Sequence, residues 1–354
     1  MKSNWDNILV SPTDSIQDVL QVIDKQGLQL ALVVDTNKLL LGTITDGDVR
    51  RALIKGKPLS SPAANIMFSC PTTLSPGASS EEITSILNEK GLLSIPVLKN
   101  GRVVGLETRY PINSKRVLKN PVVLMAGGFG TRLKPLTDIC PKPMLKVGGV
   151  PILEILLSSF ISAGFSEFYI SIHYMAEVIT EYFQDGSKWG IDITYLHEAT
   201  PLGTGGALGL MPELSNSLPL IVMNCDVLTN VNLCQLLDFH CDNKADITMC
   251  VQKYDYQIPY GVVEVEVSKV IGMVEKPVHK FFVNAGIYVI NQEVLEHIEA
   301  NTQFDLPTLI ENQMHNKKNI IVFPIHEYWL DIGRMDDFNR AQVDIHNLHL
   351  IHDK

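Results

Sequence analysis

The chain has 354 residues, a hydrophobic share of 45% and a formal net charge of -10, with 29 Lys and Arg against 39 Asp and Glu. That length suits two cores rather than one, and acidic charge spread along the chain excludes a general nucleic-acid surface, which needs a concentrated basic patch. No apolar run reaches the roughly 18 residues of a membrane span, MKSNWDNILV lacks the basic and apolar regions of a secretory signal, and the six cysteines show no CxxC pair or zinc-like His spacing; a cytoplasmic chain with reduced thiols and no membrane partner is expected.

Residues 13–53 read as helix, strand, strand, helix. The amphipathic DSIQDVLQVIDKQG comes first, then LQLALVV, a turn at residues 35–38, LLLGTIT and DGDVRRAL. Residues 79–112 repeat the order about 65 residues further on, with SSEEITSILNEKG, LLSIPVL, a turn at residues 99–101 and RVVGLET. This repeat resembles a CBS-domain pair. Nucleotide-binding copies in that family carry a glycine, a Ser or Thr three residues later and an Asp three further on, and the first copy has Gly42, Thr45 and Asp48. The resemblance implies that Thr45 meets the phosphate and Asp48 the ribose of a regulatory nucleotide. Equally, the two residues can cap the helix over residues 49–53 in a module that serves packing or homodimer formation. The second copy keeps Gly105 and Thr108 but has Pro111 at the Asp position, so its site is expected to be degenerate.

NSKRVLKN, residues 113–120, breaks the periodicity as a short basic linker. The expected domains are therefore 1–115, the CBS pair, and 116–354. In the second domain strands alternate with helices: PVVLMAG, PILEILLSSFISAG, FYISIHY, a helix ending at Phe183, ITYLHE, a Gly-rich loop and helix, and LPLIVMNCD. This predicts an α/β domain with a mostly parallel, Rossmann-like sheet covered on both faces. ADITMCVQK, GVVEVEV and FVNAGIYVI follow with little helix between them, and are expected to form an antiparallel addition that supplies a sugar pocket.

LMAGGFGTRLKPLTDICPKP, residues 124–143, carries the most chemistry. An apolar strand runs into Gly127, Gly128 and Gly130, where absent side chains let backbone amides approach phosphate oxygens. Arg132 offers a planar fork for those oxygens, and Lys142, between two prolines, adds a second cation. Neither the GxGxxG nor the Walker spacing is present. The pattern GxGTRxxP, with PKP placing Lys142 ten residues beyond Arg132, resembles the signature of sugar-phosphate nucleotidyltransferases, and the resemblance runs over about 230 residues to the end of the chain.

That resemblance implies that Leu124, Ala126, Gly127, Gly128, Gly130, Thr131 and Arg132 hold the NTP and that Lys142 steadies its phosphates. Within HEATPLGTGGAL, it puts Glu198 and Gly203 beside the nucleobase. Guanine offers adjacent ring and exocyclic N–H donors that one acceptor-only carboxylate can receive together, which favours GTP, although pyrimidine-using relatives carry a similar glutamate. Asp226 in MNCDVL ends an apolar strand, where ligands bind in open α/β sheets, and Asp331 precedes Gly333 in YWLDIGR. By resemblance the two aspartates bind Mg²⁺ between the reacting phosphates, a site suited to a hard cation. Glu275, Lys276 and Asn284, in EKP and NAGIYVI, are the implied sugar-phosphate contacts.

The implied reaction is attack by a sugar 1-phosphate on the α-phosphorus of an NTP with loss of pyrophosphate. The chain resembles in particular bacterial guanylyltransferases that carry an N-terminal CBS pair and serve legionaminic-acid-type pathways, which implies glucosamine 1-phosphate as acceptor; mannose 1-phosphate is the rival. Asp226 stands alone rather than in a DxD pair, which argues against a glycosyltransferase. A non-catalytic nucleotide-sugar sensor is the other alternative, and the intact Arg132, Lys142, Asp226 and Asp331 argue against it.

Overall fold

The computed structural model describes residues 5–26, 29–109 and 116–348, with the side chains of residues 24–26, 88, 297 and 347 excepted. The chain divides into two compact units, 1–115 and 116–354. Pro111 and residues 113–115 of the linker lie outside the described residues. Among the described residues no helix is long and apolar enough to cross a membrane.

In the first unit, β1 (Leu9–Val10), β2 (Leu30–Val34) and β3 (Leu40–Thr45) form a three-stranded sheet in that order. β2 is buried along its whole length. It is backed by α1 (Ile16–Gln26) and α2 (Asp46–Ile54), whose Ile16, Val19, Ile23, Val49 and Ala52 close a core over Ala31, Val33 and Ile44. The repeat supplies α3 (Ser80–Glu89) and the hairpin of β4 (Ser94–Lys99) and β5 (Arg102–Thr108). The two hairpin turns bond each other, Leu40 N to Gly101 O and Val103 N to Lys38 O, both at 3.0 Å. Val103 and Leu106 complete a shared core with Leu30, Leu32 and Val34.

Thr45 is the N-cap of α2. Its hydroxyl accepts from Asp48 N at 3.3 Å, and Asp48 Oδ2 accepts from Thr45 N at 2.8 Å and Thr45 Oγ1 at 2.7 Å, a reciprocal capping box. Asp48 Oδ1 also pairs with Arg51 at 2.7 Å. Both residues thus cap α2. Gly42 stands where a Cβ would meet Phe68 O at 2.7 Å, so it serves a close backbone approach.

The second unit is built on β6 (Val122–Met125), β7 (Lys146–Val147), β8 (Val150–Pro151), α4 (Ile152–Ala163), β9 (Glu167–Ile172), α5 (Ala176–Phe183), β10 (Asp192–His197), α6 (Gly203–Gly206), β11 (Leu220–Asn224), β12 (Val227–Thr229) and α7 (Leu233–Asp242). There follow β13 (Ile247–Gln257), β14 (Val262–Glu266), β15 (Lys269–Val274), β16 (Val278–Ile290), α8 (Leu306–His315), β17 (Ile320–Ile325), β18 (Trp329–Asp331) and α9 (Met335–Asp344). The main sheet has seven strands in the order β10-β9-β6-β11-β16-β13-β17. Its neighbours pair in parallel except at β16, which runs against both β11 and β13. Residues of α4, α5, α7 and α9 bury one face of the sheet, and α8 with Leu208 buries the other. This two-sided cover explains why β6 and β11 read as continuous apolar runs.

β13 and β16 are antiparallel and lie inside the sheet. Beyond Gln252, β13 leaves it as a ribbon paired with the first half of β16, from Lys253↔Phe282 to Gln257↔Val278. GVVEVEV does not join the sheet. It forms a separate hairpin of β14 and β15 whose residues are mostly exposed. With no helix between them and no layer over them, these strands find only each other to pair with.

Candidate active site

A cleft of about 320 Å³ opens at the carboxyl ends of β6 and β11, lined by residues 125–133, Lys142, Pro143, Glu198, Pro201, Gly203, Thr204, residues 224–226, Asp305 and Gly333. It gathers Ala126, Gly127, Gly128, Gly130, Thr131, Arg132, Lys142, Glu198, Gly203 and Asp226 from the sequence reading. Leu124 is different: it is fully buried in the core, paired with Ile170 and Met223, and has no side-chain access to the cleft.

The loop after β6 takes its shape from Gly130, at φ 63°, where a Cβ would stand 2.9 Å from Thr137 Cγ2 and 3.0 Å from Lys142 Cβ. Thr137 Oγ1 donates to Gly130 O at 2.9 Å and holds the loop against the following turn. Lys142, at the start of a 3-10 turn, reaches Asp226 Oδ2 at 2.6 Å, with the two side chains only 12% and 25% exposed. Asp331 arrives through β18, which pairs antiparallel with β12 as Val227↔Asp331, while Ile332 N donates to Asp226 O at 2.8 Å. Two distant aspartates are thereby locked side by side.

Burial, and then the neighbouring Asp226 carboxylate, push the Asp331 carboxyl above its ordinary range, and Lys142 and Arg132 partly offset this. Asp331 Oδ1 is buried without a hydrogen-bond partner. Two adjacent carboxylates, one with an orphaned oxygen, beside open space are a donor set that fits a hard divalent cation sharing its remaining positions with substrate phosphates.

At the other end of the cleft, Glu198 follows β10. One carboxylate oxygen accepts from Ser171 Oγ on β9 and the other from Leu202 N at 2.8 Å, while His173 Nδ1 donates to the Glu198 carbonyl at 2.8 Å. Gly127 leaves room for that carboxylate: a Cβ there would run into it. Each oxygen keeps a free lone pair.

Glu275 and Lys276 do not reach the cleft. They are exposed at the end of the β14–β15 hairpin, and Lys276 N donates to Tyr260 O at 3.3 Å. Asn284 is an exposed residue of β16 that does not line the cleft; its Nδ2 donates to Tyr288 Oη at 2.6 Å and its Oδ1 accepts from Gly286 N at 3.0 Å. None of the three residues expected to contact the sugar phosphate lines this cleft. Sequence reasoning missed Phe129, Thr204, Asn224 and Asp305. Asn224 was within sight, two residues before Asp226, whereas Asp305 has no local motif and enters only because α8 packs beside α6.

A nucleotidyl transferase family model matches residues 121–347, and a CBS-domain model matches residues 3–55 and 63–106. The chain is similar to the mannose-1-phosphate guanyltransferase of Yarrowia lipolytica, 34% identical over 227 residues, or 61% of either chain. It is also similar to the mannose-1-phosphate guanylyltransferase of Mycobacterium tuberculosis, 34% identical over 233 residues, 63% of this chain and 64% of the relative. The match thus spans under two thirds of these relatives. In structure it is similar to HddC from Yersinia pseudotuberculosis, at a TM-score of 0.51 and 25% identity over 64% of this chain and 99% of that one. A cleft of glycine-loop amides, cations and paired aspartates on such a sheet, with a family match over most of the chain, leads to one conclusion: this chain belongs to the nucleotidyl transferase family, with CBS domains at its N-terminal end.

Proposed function

We propose that the chain transfers GMP from GTP to a hexose 1-phosphate, releasing pyrophosphate. The observation that carries this reading is the single cleft that brings the 127–132 loop, Lys142, Asp226 and Glu198 together. Guanine is supported by the acceptor-only carboxylate of Glu198 and by the guanylyl activity in the names of the curated relatives. Those names specify mannose 1-phosphate, the rival acceptor of the sequence reading, while the resemblance to amino-sugar guanylyltransferases points to glucosamine 1-phosphate.

In this mechanism an oxygen of the sugar phosphate attacks the α-phosphorus of GTP. The new P–O bond forms as the bond from the α-phosphorus to its β-bridging oxygen breaks, and pyrophosphate leaves. A phosphate monoester has a second pKa of about 6, so the nucleophile is already ionised near pH 7 and needs no general base. The protein's work is to align and neutralise two anions. Arg132 and the amides of the 127–130 loop suit the β- and γ-phosphates, and Lys142 suits the α-phosphate. Asp226 and Asp331 are the residues that would hold Mg²⁺, which when bound shields the phosphate charges.

Pyrophosphate release with Mg²⁺ tests the reading, crossing GTP, UTP, ATP, CTP and dTTP with glucosamine, mannose, glucose and N-acetylglucosamine 1-phosphates. Turnover confined to GTP is expected. Preference for another NTP removes Glu198 as the guanine reader, and silence across the whole matrix leaves the sensor alternative.

A further inference from the structure

Ser171 is fully buried near the carboxyl end of β9, between Leu196 of β10 and Met125 of β6. Side chains of a strand covered on both faces are ordinarily apolar, and Phe168, Ile170 and Ile172 of β9 are. A buried hydroxyl needs a partner, and Ser171 Oγ finds one by donating to Glu198 Oε1. The same short stretch fixes the main chain of the glutamate: Glu198 N donates to Ile172 O at 3.0 Å, and Glu198 O accepts from His173 Nδ1 at 2.8 Å. With Leu202 N on Oε2 at 2.8 Å, every polar group of Glu198 is bonded, all but one of them to residues 171–173.

The last torsion of a glutamate is broad, so a carboxylate held at one oxygen can turn. Asp305, also on the cleft wall, is such a case: among the described residues it accepts through Oδ1 alone, from Thr204 N at 3.2 Å and Thr204 Oγ1 at 3.4 Å. Glu198 is held at both oxygens, which fixes the plane of its carboxylate. One internal donor on each oxygen leaves a free lone pair on each. Two adjacent N–H donors on one edge of a base can be received together only while that plane is kept.

The end of β9 also supports the glycine loop. Ser171 O accepts from Ala126 N at 2.9 Å, where β6 passes into that loop. Phe129, which lines the cleft, packs edge to face on His173 with ring centroids 5.6 Å apart and tilts on Tyr174 at 5.4 Å, while Tyr174 Oη donates to Thr137 O at 3.0 Å. The loop is thus tied to the main chain of Ser171 and to the side chains of residues 173 and 174, whereas the Ser171 hydroxyl serves Glu198. Losing that hydroxyl frees the carboxylate and leaves the ties of the loop in place.

We propose that Ser171 is a positioning residue that makes Glu198 a two-donor reader, and that it thereby sets the preference for a base with an exocyclic amino group beside its ring N–H over a base with the ring N–H alone. This rests on the guanylyltransferase reading and assigns part of the base choice to a side chain that does not itself line the cleft. A hydrogen bond to a charged group corresponds to about 10- to 100-fold in affinity. A carboxylate free to turn keeps its bond to the ring N–H and gives up much of the bond to the amino group.

The test measures Kd by titration calorimetry, with Mg²⁺ and no acceptor, for GTP and for inosine triphosphate, which keeps the ring N–H of guanine and lacks its amino group. The proteins are the full chain, Ser171→Ala, Ser171→Cys, Glu198→Ala and the double variant Ser171→Ala with Glu198→Ala. The wild type is expected to bind GTP about tenfold or more tighter than inosine triphosphate, and Ser171→Ala to cut that ratio about tenfold by weakening GTP. Ser171→Cys, a weaker donor of similar shape, should cut it less. In the Glu198→Ala background the Ser171 change should leave the ratio where it is, because the residue it acts through is gone. A Ser171→Ala protein that melts earlier with its ratio intact gives the hydroxyl a packing role and overturns the proposal, as does a tenfold cut that persists without Glu198. Equal wild-type affinity for the two nucleotides sinks Glu198 as the guanine reader and the proposal with it, whereas a wild-type preference that Ser171→Ala leaves unchanged sinks the proposal alone.

Discussion

Replacing Lys142 with Met keeps the length and apolar stem of the side chain but removes its charge from the 2.6 Å contact with Asp226. An exposed pair would contribute at most about 1 kcal/mol, whereas deleting one partner of a fully buried pair costs about 3–5 kcal/mol. At 12% and 25% exposure this pair lies between those limits, so we expect a loss of about 1–3 kcal/mol. The loss is sharpened by Asp331, whose carboxyl is already pushed up by burial and by Asp226 and would lose the relief that Lys142 supplies. On turnover, removal of one preorganised charge from a phosphate-transfer centre is expected to cost about 100- to 1,000-fold. Urea unfolding reads the first quantity and pyrophosphate release the second. Lys142→Met combined with Asp226→Asn should regain much of the stability, because the unpaired Asp226 charge and its repulsion of Asp331 are both removed, and none of the activity. A Lys142→Met protein within about threefold of wild-type turnover would refute the assignment of this pair to the reacting centre.

Gly130→Ala puts a Cβ against Thr137 and Lys142 at a left-handed φ of 63°; we expect a loss of about 1–2 kcal/mol and a raised KM for the NTP, and an unchanged KM would show that the loop's shape does not set nucleotide affinity. Thr45→Ala removes the α2 cap at about 1 kcal/mol, so amide exchange over residues 46–54 should quicken about fivefold; unaltered exchange would return Thr45 to the ligand-binding reading. Burial holds His240 below its ordinary pKa, where Nδ1 accepts from Thr248 Oγ1 at 2.8 Å and Nε2 donates to Asn291 Oδ1 at 3.0 Å. The unfolded chain takes up that proton near pH 6.5, so this contribution is complete above that pH and lost as pH falls through the lower folded value. Urea midpoints between about pH 7.5 and 5.5 should therefore fall less steeply in His240→Gln than in the wild type, and equal slopes would dismiss His240 as the source.

Much of the fold was legible in the chain because its signals are local. The repeat in the first unit, the apolar runs of β6 and β11, and the apolar positions of α4 with the left-handed Gly164 behind it each depend on residues within a few turns of one another. The glycine loop was legible for the same reason: Gly130, Arg132 and Lys142 lie on one short stretch, and the loop's geometry needs the glycine itself. Tertiary structure alone decided what distant segments bring. Asp331 meets Asp226 through the β12–β18 pairing, Ser171 fixes Glu198 from the neighbouring strand, and Asp305 enters the cleft because Thr204 caps α8 in its place. Glu275 and Lys276 show the converse. Their motif is local, but whether it reaches the substrate depends on where an exposed hairpin comes to rest, and strand pairing alone does not specify that.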